Sequence, residues 1–197
     1  ETGGKEFNRV LTMSTHDRLS KQGCYQDQNG HWICDTTEQV PSSKKKVAVW
    51  GSARTSPDSG LYNSIRRMGR ELSEDGWIVV TGGGPGSMEA ANQGALEVCP
   101  EGEICSVAEA IYLPFEEAVN EHVQSYEKHQ EFFSRLKTFS ECDAFIITPG
   151  GIGTLLEMAL IYQLVQVNHV QNKPIICVGR MWRTLRQWLE DEMIESG

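Results

Sequence analysis

The sequence has no surplus of positive charge. Eighteen lysines and arginines are set against 27 acidic residues, giving a formal charge of −9 and a pI of about 5.1. No basic face is evident, which argues against a nucleic-acid polymer as partner. The longest basic run, Lys44-Lys45-Lys46, precedes a strand and reads as solvated. No apolar stretch approaches the ~20 residues that cross a bilayer, and no signal-peptide pattern is present. A cytoplasmic protein with no membrane partner is expected. The six cysteines fit no common zinc spacing, and His31 completes no metal set, so no metal is expected. Reduced thiols are the expectation. Cys105, Cys142 and Cys177 fall in or beside core strands and read as small buried hydrophobes. Cys24 and Cys34 flank a segment whose Gln28-Asn29-Gly30 suits a hairpin tip, where a disulfide is geometrically conceivable. No repeat or low-complexity tract occurs.

What is there divides into two parts. Residues 1–43 are polar and mixed, beginning with Glu1-Thr2-Gly3-Gly4, which reads as a tag remnant, and ending in Pro41-Ser42-Ser43. They read as an extension or mobile arm. Residues 44–197 alternate between strand and helix patterns. Strands are predicted at Val47–Trp50, Trp77–Thr81, within Ile104–Leu113, at Ala144–Thr148 and at Pro174–Val178. Helices are predicted at Gly60–Glu74, Ser87–Val98, Ser125–Ser140, Gly153–Asn168 and Met181–Ile194. The last is still running near the end of the sequence, as in a chain that continues. This alternation predicts an α/β fold, a Rossmann-like doubly wound parallel sheet, in a single domain with an N-terminal extension. Right-handed crossovers place every strand's carboxyl end on one edge. The turns after Trp50, Thr81 and Thr148 then line one crevice at a topological switch point.

Two of those turns are rich in glycine. The strand ending at Ile147-Thr148 runs into Pro149-Gly150-Gly151-Ile152-Gly153-Thr154, and a helical pattern follows at once. Glycines at a strand-to-helix turn leave backbone N–H groups uncovered, and the helix adds free donors and the positive end of its dipole. Such a turn suits an anion, most often a phosphate. Thr154 can add a hydroxyl, and Glu157 follows on the same helical face. The second turn, Thr81-Gly82-Gly83-Gly84-Pro85-Gly86, precedes the helix start Ser87-Met88-Glu89. A lone glycine turn is weak evidence of a ligand, and two in one small domain are stronger.

GGGPGSME and PGGIGTLLE together resemble the signatures of the LONELY GUY (LOG) family. Its members are cytokinin riboside 5′-monophosphate phosphoribohydrolases and related bacterial nucleotide nucleosidases, long labelled lysine decarboxylases. The resemblance spans Lys46 to Trp188, and no lysine stands as a Schiff-base partner beside the phosphate turn. It implies a nucleoside 5′-monophosphate substrate, no cofactor, and a homodimer or higher homo-oligomer. By this resemblance Glu157 is catalytic, while Pro149, Gly150, Gly151, Gly153 and Thr154 hold the phosphate. Gly82, Gly83, Gly84 and Gly86 lie against sugar and base, with Met88 either in the core or facing the ligand and Ser52 within reach of the nucleotide. The family's arginine, in the helix before the PGG strand, is Arg135 when counted forward from Phe132-Phe133. Counted back from Asp143 it falls on Ser134, and a one-residue deletion near Glu141-Cys142 reconciles the two.

Each residue has a plainer alternative. Thr154-Leu155-Leu156-Glu157 fits a capping box, in which the carboxylate reaches back to a backbone N–H. A helix N-terminus would also keep Glu157 ionised, better suited to stabilising positive charge than to donating a proton. Arg135 can pair on the surface with Glu131 at i+4 spacing. Ser52 can be a turn serine, and Trp182, Leu185 and Trp188 have the spacing of a packing face. His122 and His129 carry no motif. Two other functions are weighed. A non-catalytic nucleotide- or cofactor-binding protein would resemble the molybdenum-cofactor carrier proteins. A nicotinamide oxidoreductase fits less well, because the first strand ends in Gly51-Ser52-Ala53-Arg54 and not in GxGxxG, although Glu71 stands roughly where a ribose-binding acid would.

Overall fold

A computed structural model describes residues 44–112, 119–171 and 173–194, and the backbone of β1 (Cys24–Gln26) and β2 (Trp32–Cys34). These two short strands pair antiparallel with Cys24 opposite Cys34. The rest of the extension lies outside the described residues.

The remaining elements follow the expected alternation. They are β3 (Lys46–Trp50), α1 (Gly60–Glu74), β4 (Ile78–Thr81), α2 (Ser87–Glu97), β5 (Ser106–Ile111), β6 (Ser125–His129), α3 (Phe132–Ser140), β7 (Ala144–Ile147), α4 (Ile152–Gln166), β8 (Ile175–Cys177) and α5 (Arg180–Leu189). A π-helical turn, Glu190–Ile194, continues α5. Six strands form one parallel sheet in the order β6-β5-β4-β3-β7-β8. The chain winds outward from β3 to β6 and then returns to lay β7 on the other side of β3. The switch point therefore lies between β3 and β7, where open sheets of this kind take ligands.

The four central strands are short, apolar and buried on both faces, as parallel strands covered by helices must be. Val47, Val49 and Val79 face α1 and α2, packing with Tyr62, Ile65, Ala90 and Ala91. Ala48, Trp50, Val80 and Ile147 face the other side with Phe139, Met158, Ile161 and Trp182. There Trp50 meets Phe139 edge-on and Phe145 face-on, each at a centroid distance of 5.4 Å. Fully burying side chains of this size stabilises the fold by about 1.5–3 kcal/mol each. The α1–α2 contact is closer than side chains allow. A Cβ on Gly69 would lie 2.3 Å from the Ala91 carbonyl oxygen, and one on Gly94 would lie 1.8 Å from that of Arg66. This clamp fixes α2, and with it the glycine turn at its N-terminus.

Two sequence expectations are corrected. Residues 125–140 are not one helix, because Ser125–His129 form an edge strand beside β5, in parallel register from Val107↔Ser125 to Ile111↔His129. The segment SYEKH is polar and half-exposed, so its period-2 signal is weak, and ladder pairing decides its state. Cys105 is not a free thiol. It forms a disulfide with Cys99 across the loop joining α2 to β5. Gly102 in that loop takes φ +77°, and this turn brings the two cysteines together. Cys142 and Cys177 are free thiols.

Candidate active site

The three turns meet as expected at the carboxyl edge. Ser52 donates its backbone N–H to the Pro149 carbonyl at 3.2 Å, and Ser87 N–H donates to the Ser52 carbonyl at 2.9 Å. The Thr55 and Ser87 hydroxyls are 2.8 Å apart. Ser52 thus works in part as a turn residue, its hydroxyl accepting from the Arg54 N–H. These bonds join the ends of β3, β4 and β7 around one crevice.

Gly83 and Gly86 adopt φ +76° and +70°, which side-chain-bearing residues rarely do. A Cβ on Gly86 would also strike the Ser52 carbonyl at 2.5 Å. Gly82 is needed for space. A Cβ there would lie 2.1 Å from Arg135 Nη2 and 2.9 Å from Met88 Sδ. Met88 is half-buried and folds back over this turn, its Cε lying 2.7 Å from where a Gly84 Cβ would be.

The PGG turn is built differently. Gly151 caps α4 with φ −93°, and none of its glycines has a positive φ. A Cβ on Gly151 or Gly153 would meet nothing within 4 Å, so both border open space at the helix N-terminus. Gly150 instead makes room for the Thr154 side chain, whose Oγ1 would be 2.2 Å from a Cβ. With Gly151 as cap, Thr154 lies inside the first turn and is buried. The capping-box alternative for Thr154 and Glu157 is therefore corrected, since Glu157 lies one turn too deep in α4 to reach a cap.

Glu157 meets Arg135. Its Oε1 is 3.7 Å from Arg135 Nη2, and the two side chains are only 13% and 12% exposed. Arg135 Nε donates to the Glu109 carbonyl at 2.8 Å, and the guanidinium carbon lies 5.2 Å from the Phe139 ring centroid. The surface pairing with Glu131 is not seen, because Arg135 turns inward over Gly82. Ser134 points elsewhere, its hydroxyl donating to the Glu131 carbonyl. Burial pushes the Glu157 carboxyl up to about 7, against the opposing pull of Arg135. Burial thus opposes the helix N-terminus, which alone would favour the ionised form. The dipole effect fades within the first turn, and desolvation decides the protonation of Glu157.

Trp182 packs in the core and donates Nε1–H to the Thr148 carbonyl at 3.2 Å, while Trp188 is exposed. At the β5–β6 edge, Glu109, Glu127 and His129 bring possible ligand atoms within 4.8 Å of one another. His129 Nε2 and Glu109 Oε2 already satisfy each other at 2.8 Å. The sequence reading missed Asn120. Its amide bonds to the carbonyls of Gly83 and Gly84, both at 3.1 Å. A lone asparagine carries no periodic or motif signal.

Comparison with known proteins identifies the family. A family model described as "Possible lysine decarboxylase" matches residues 88–197, and one described as SLOG cluster4 matches residues 44–100. The chain belongs to the LOG/SLOG family. Among solved structures, this LOG-family chain is similar to the structural-genomics protein TM1055, at 26% identity and TM-score 0.52, over 75% of this chain and 99% of that one. The molybdenum cofactor binding protein from Rippkaea orientalis is 25% identical, with TM-score 0.54, over 75% and 85% of the two chains. The Moco carrier protein from Chlamydomonas reinhardtii, at 21% identity and TM-score 0.55 over 76% and 85%, shares the fold. No match was found among curated proteins. Among the described residues, no helix of this LOG-family protein is long and apolar enough to cross a membrane.

Proposed function

We propose that the protein hydrolyses the N-glycosidic bond of a nucleoside 5′-monophosphate, of the AMP or cytokinin riboside monophosphate type, to free base and ribose 5-phosphate. The observation that carries this reading is the desolvated Arg135–Glu157 pair, set over one glycine turn and one turn into the helix that opens the other. In this reading the 5′-phosphate sits on the N-terminus of α4, held by Gly150, Gly151, Gly153 and Thr154. The ribose then lies over Gly83, Gly84 and Gly86, bordered by Ser52 and Met88.

As the C1′–N bond breaks, its electron pair leaves with the base and C1′ becomes oxocarbenium-like. The oxygen of a water attacks C1′, and its proton passes to the Glu157 carboxylate. The departing base takes a proton from solvent. A carboxyl with a pKa near 7 suits this work, since a general base is most effective near the operating pH. Arg135 keeps part of the Glu157 population ionised and holds the carboxylate in place. The scheme uses no metal or redox cofactor. A homodimer belongs to the same reading. Ile152 and Leu156 on α4, 82% and 48% exposed, and Phe133 at the start of α3 offer a second copy an apolar surface beside the crevice.

A protein that binds a nucleotide or cofactor without cleaving it is the second reading, favoured by the likeness to the molybdenum cofactor binding protein from Rippkaea orientalis. Both readings need the phosphate turn, but only hydrolysis needs the charge of Glu157. The test is incubation with AMP, GMP, CMP, UMP and N6-prenylated AMP, followed by chromatography of released bases. Hydrolysis predicts free base from at least one. Nucleotide binding with no base released from any would leave the carrier reading.

A further inference from the structure

The Gly82–Gly84 turn is held from behind by a buried polar chain that the catalytic scheme does not use. Asn120 donates its backbone N–H to the Gly83 carbonyl at 2.7 Å. Its side-chain amide donates to the same carbonyl, to that of Gly84, and to Asn92 Oδ1, each at 3.1 Å. Asn92 is fully buried. Its Oδ1 also accepts from the Thr81 hydroxyl at 2.6 Å, and its Nδ2 donates to Ser106 Oγ at 2.9 Å. Thr81 Oγ1 in turn accepts the Gly83 N–H at 3.0 Å. Ser106 Oγ donates to the His122 carbonyl at 2.7 Å, and the His122 N–H returns to Asn120 Oδ1 at 3.2 Å. The chain closes on itself around the turn.

Peptide planarity gives this chain a consequence. In a trans peptide the C=O and the following N–H point in opposite directions, and no cis bond occurs among the described residues. Asn120 draws the Gly83 carbonyl toward itself, so the N–H of Gly84, on the same peptide plane, points the other way. Gly84 carries no side chain beside that donor, and only Met88 stands where one would be, its Cε 2.7 Å from the Cβ position.

Resting on the nucleotide-binding reading above, we infer that Asn120 is a positioning residue: it aims the Gly84 N–H at the sugar-and-base half of the ligand. It touches no reacting atom and acts through the glycine turn alone. Because Asn120 approaches from the β5 side, it has no part in the phosphate turn on the far side of β3.

The test uses the full chain with two probes, AMP and inorganic phosphate, each titrated by amide NMR and calorimetry. In the wild-type protein AMP should shift the Gly84 amide, whereas phosphate alone should shift Gly151 and Gly153. Asn120→Ala keeps the backbone bond to the Gly83 carbonyl but loses the side-chain bonds to Gly83 and Gly84, so it should weaken AMP by up to about tenfold, the scale of one hydrogen bond, and leave phosphate affinity unchanged. Asn120→Ser, too short to reach both carbonyls, should behave the same way and guards against a folding defect in the alanine variant. A matching rise in KM for base release, with kcat nearly constant, is the kinetic form of the result. Equal losses of AMP and phosphate affinity, or no loss of either, would overturn the inference. If AMP binds with this pattern yet no base is released, hydrolysis fails while the role of Asn120 stands. Base release with unaltered AMP affinity in both variants would remove Asn120 and leave hydrolysis intact.

Discussion

The Arg135 guanidinium occupies the space that a side chain on Gly82 would need, and from there it reaches Glu157 at 3.7 Å. A glycine on β4's end thus makes room for a cation from α3 that meets a carboxylate from α4. The pair depends on an absent side chain as much as on the residues that form it.

Substituting that glycine tests the relationship directly. Gly82→Ala places a methyl group where Arg135 Nη2 now lies, and the flexible guanidinium is the part that yields. Thermal stability should change little, because Gly82 has no positive φ. Base release should fall by up to ~10²-fold, the usual cost of displacing a catalytic group by about 1 Å. Unchanged turnover would mean that the position of Arg135 is unimportant.

Arg135→Ala should likewise cost ~10²-fold or more in turnover, as loss of an electrostatic partner does. Lys137→Ala, two residues on in the same helix, should keep most of the activity. The reverse pattern in steady-state rates would show that the functional cation is the lysine.

The carboxyl of Glu157 sets the expected pH dependence. If it takes a proton from water, kcat should rise with pH through an apparent value of about 7 and then level off. The stability effect has the opposite sign. A carboxyl whose folded pKa is raised stabilises the fold below its unfolded pKa, and this contribution is lost as pH rises through the folded value. Wild type should therefore lose stability relative to Glu157→Gln between pH 5 and pH 8, so that the variant melts at an equal or higher temperature at pH 8. A pH-rate profile flat from pH 5 to 9 would remove Glu157 from the proton transfer.

At the other turn, Gly151→Val and Gly153→Val each add a side chain to open space without backbone strain. Both should fold with melting points near wild type and lose AMP affinity by calorimetry, because the new group fills the volume of the phosphate. Full affinity in either variant would move the phosphate elsewhere.

Much of this site was legible in the sequence. The two glycine turns, the strands before them and the helices after them follow from composition and period alone, because short apolar runs bounded by glycine leave few alternatives. Forward counting selected Arg135, the arginine whose guanidinium lies 3.7 Å from Glu157. What the sequence did not show has physical reasons. The edge strand Ser125–His129 depends on a ladder with a distant strand, the raised pKa of Glu157 on burial, and the Cys99–Cys105 bond on the turn between two cysteines that also read as ordinary buried side chains. For Glu157 the place near a helix start favours the carboxylate and burial opposes it, a balance that only the surrounding protein sets. Asn120 was missed for the same reason, since it acts only through the carbonyls of a turn 36 residues earlier.

The most direct test of the account is base release from AMP by wild type and Glu157→Gln at pH 8, with AMP affinity measured on the same samples. The account predicts that both bind AMP comparably, that wild type releases adenine, and that Glu157→Gln releases ~10²-fold less or none. Equal adenine release by the two proteins would contradict it.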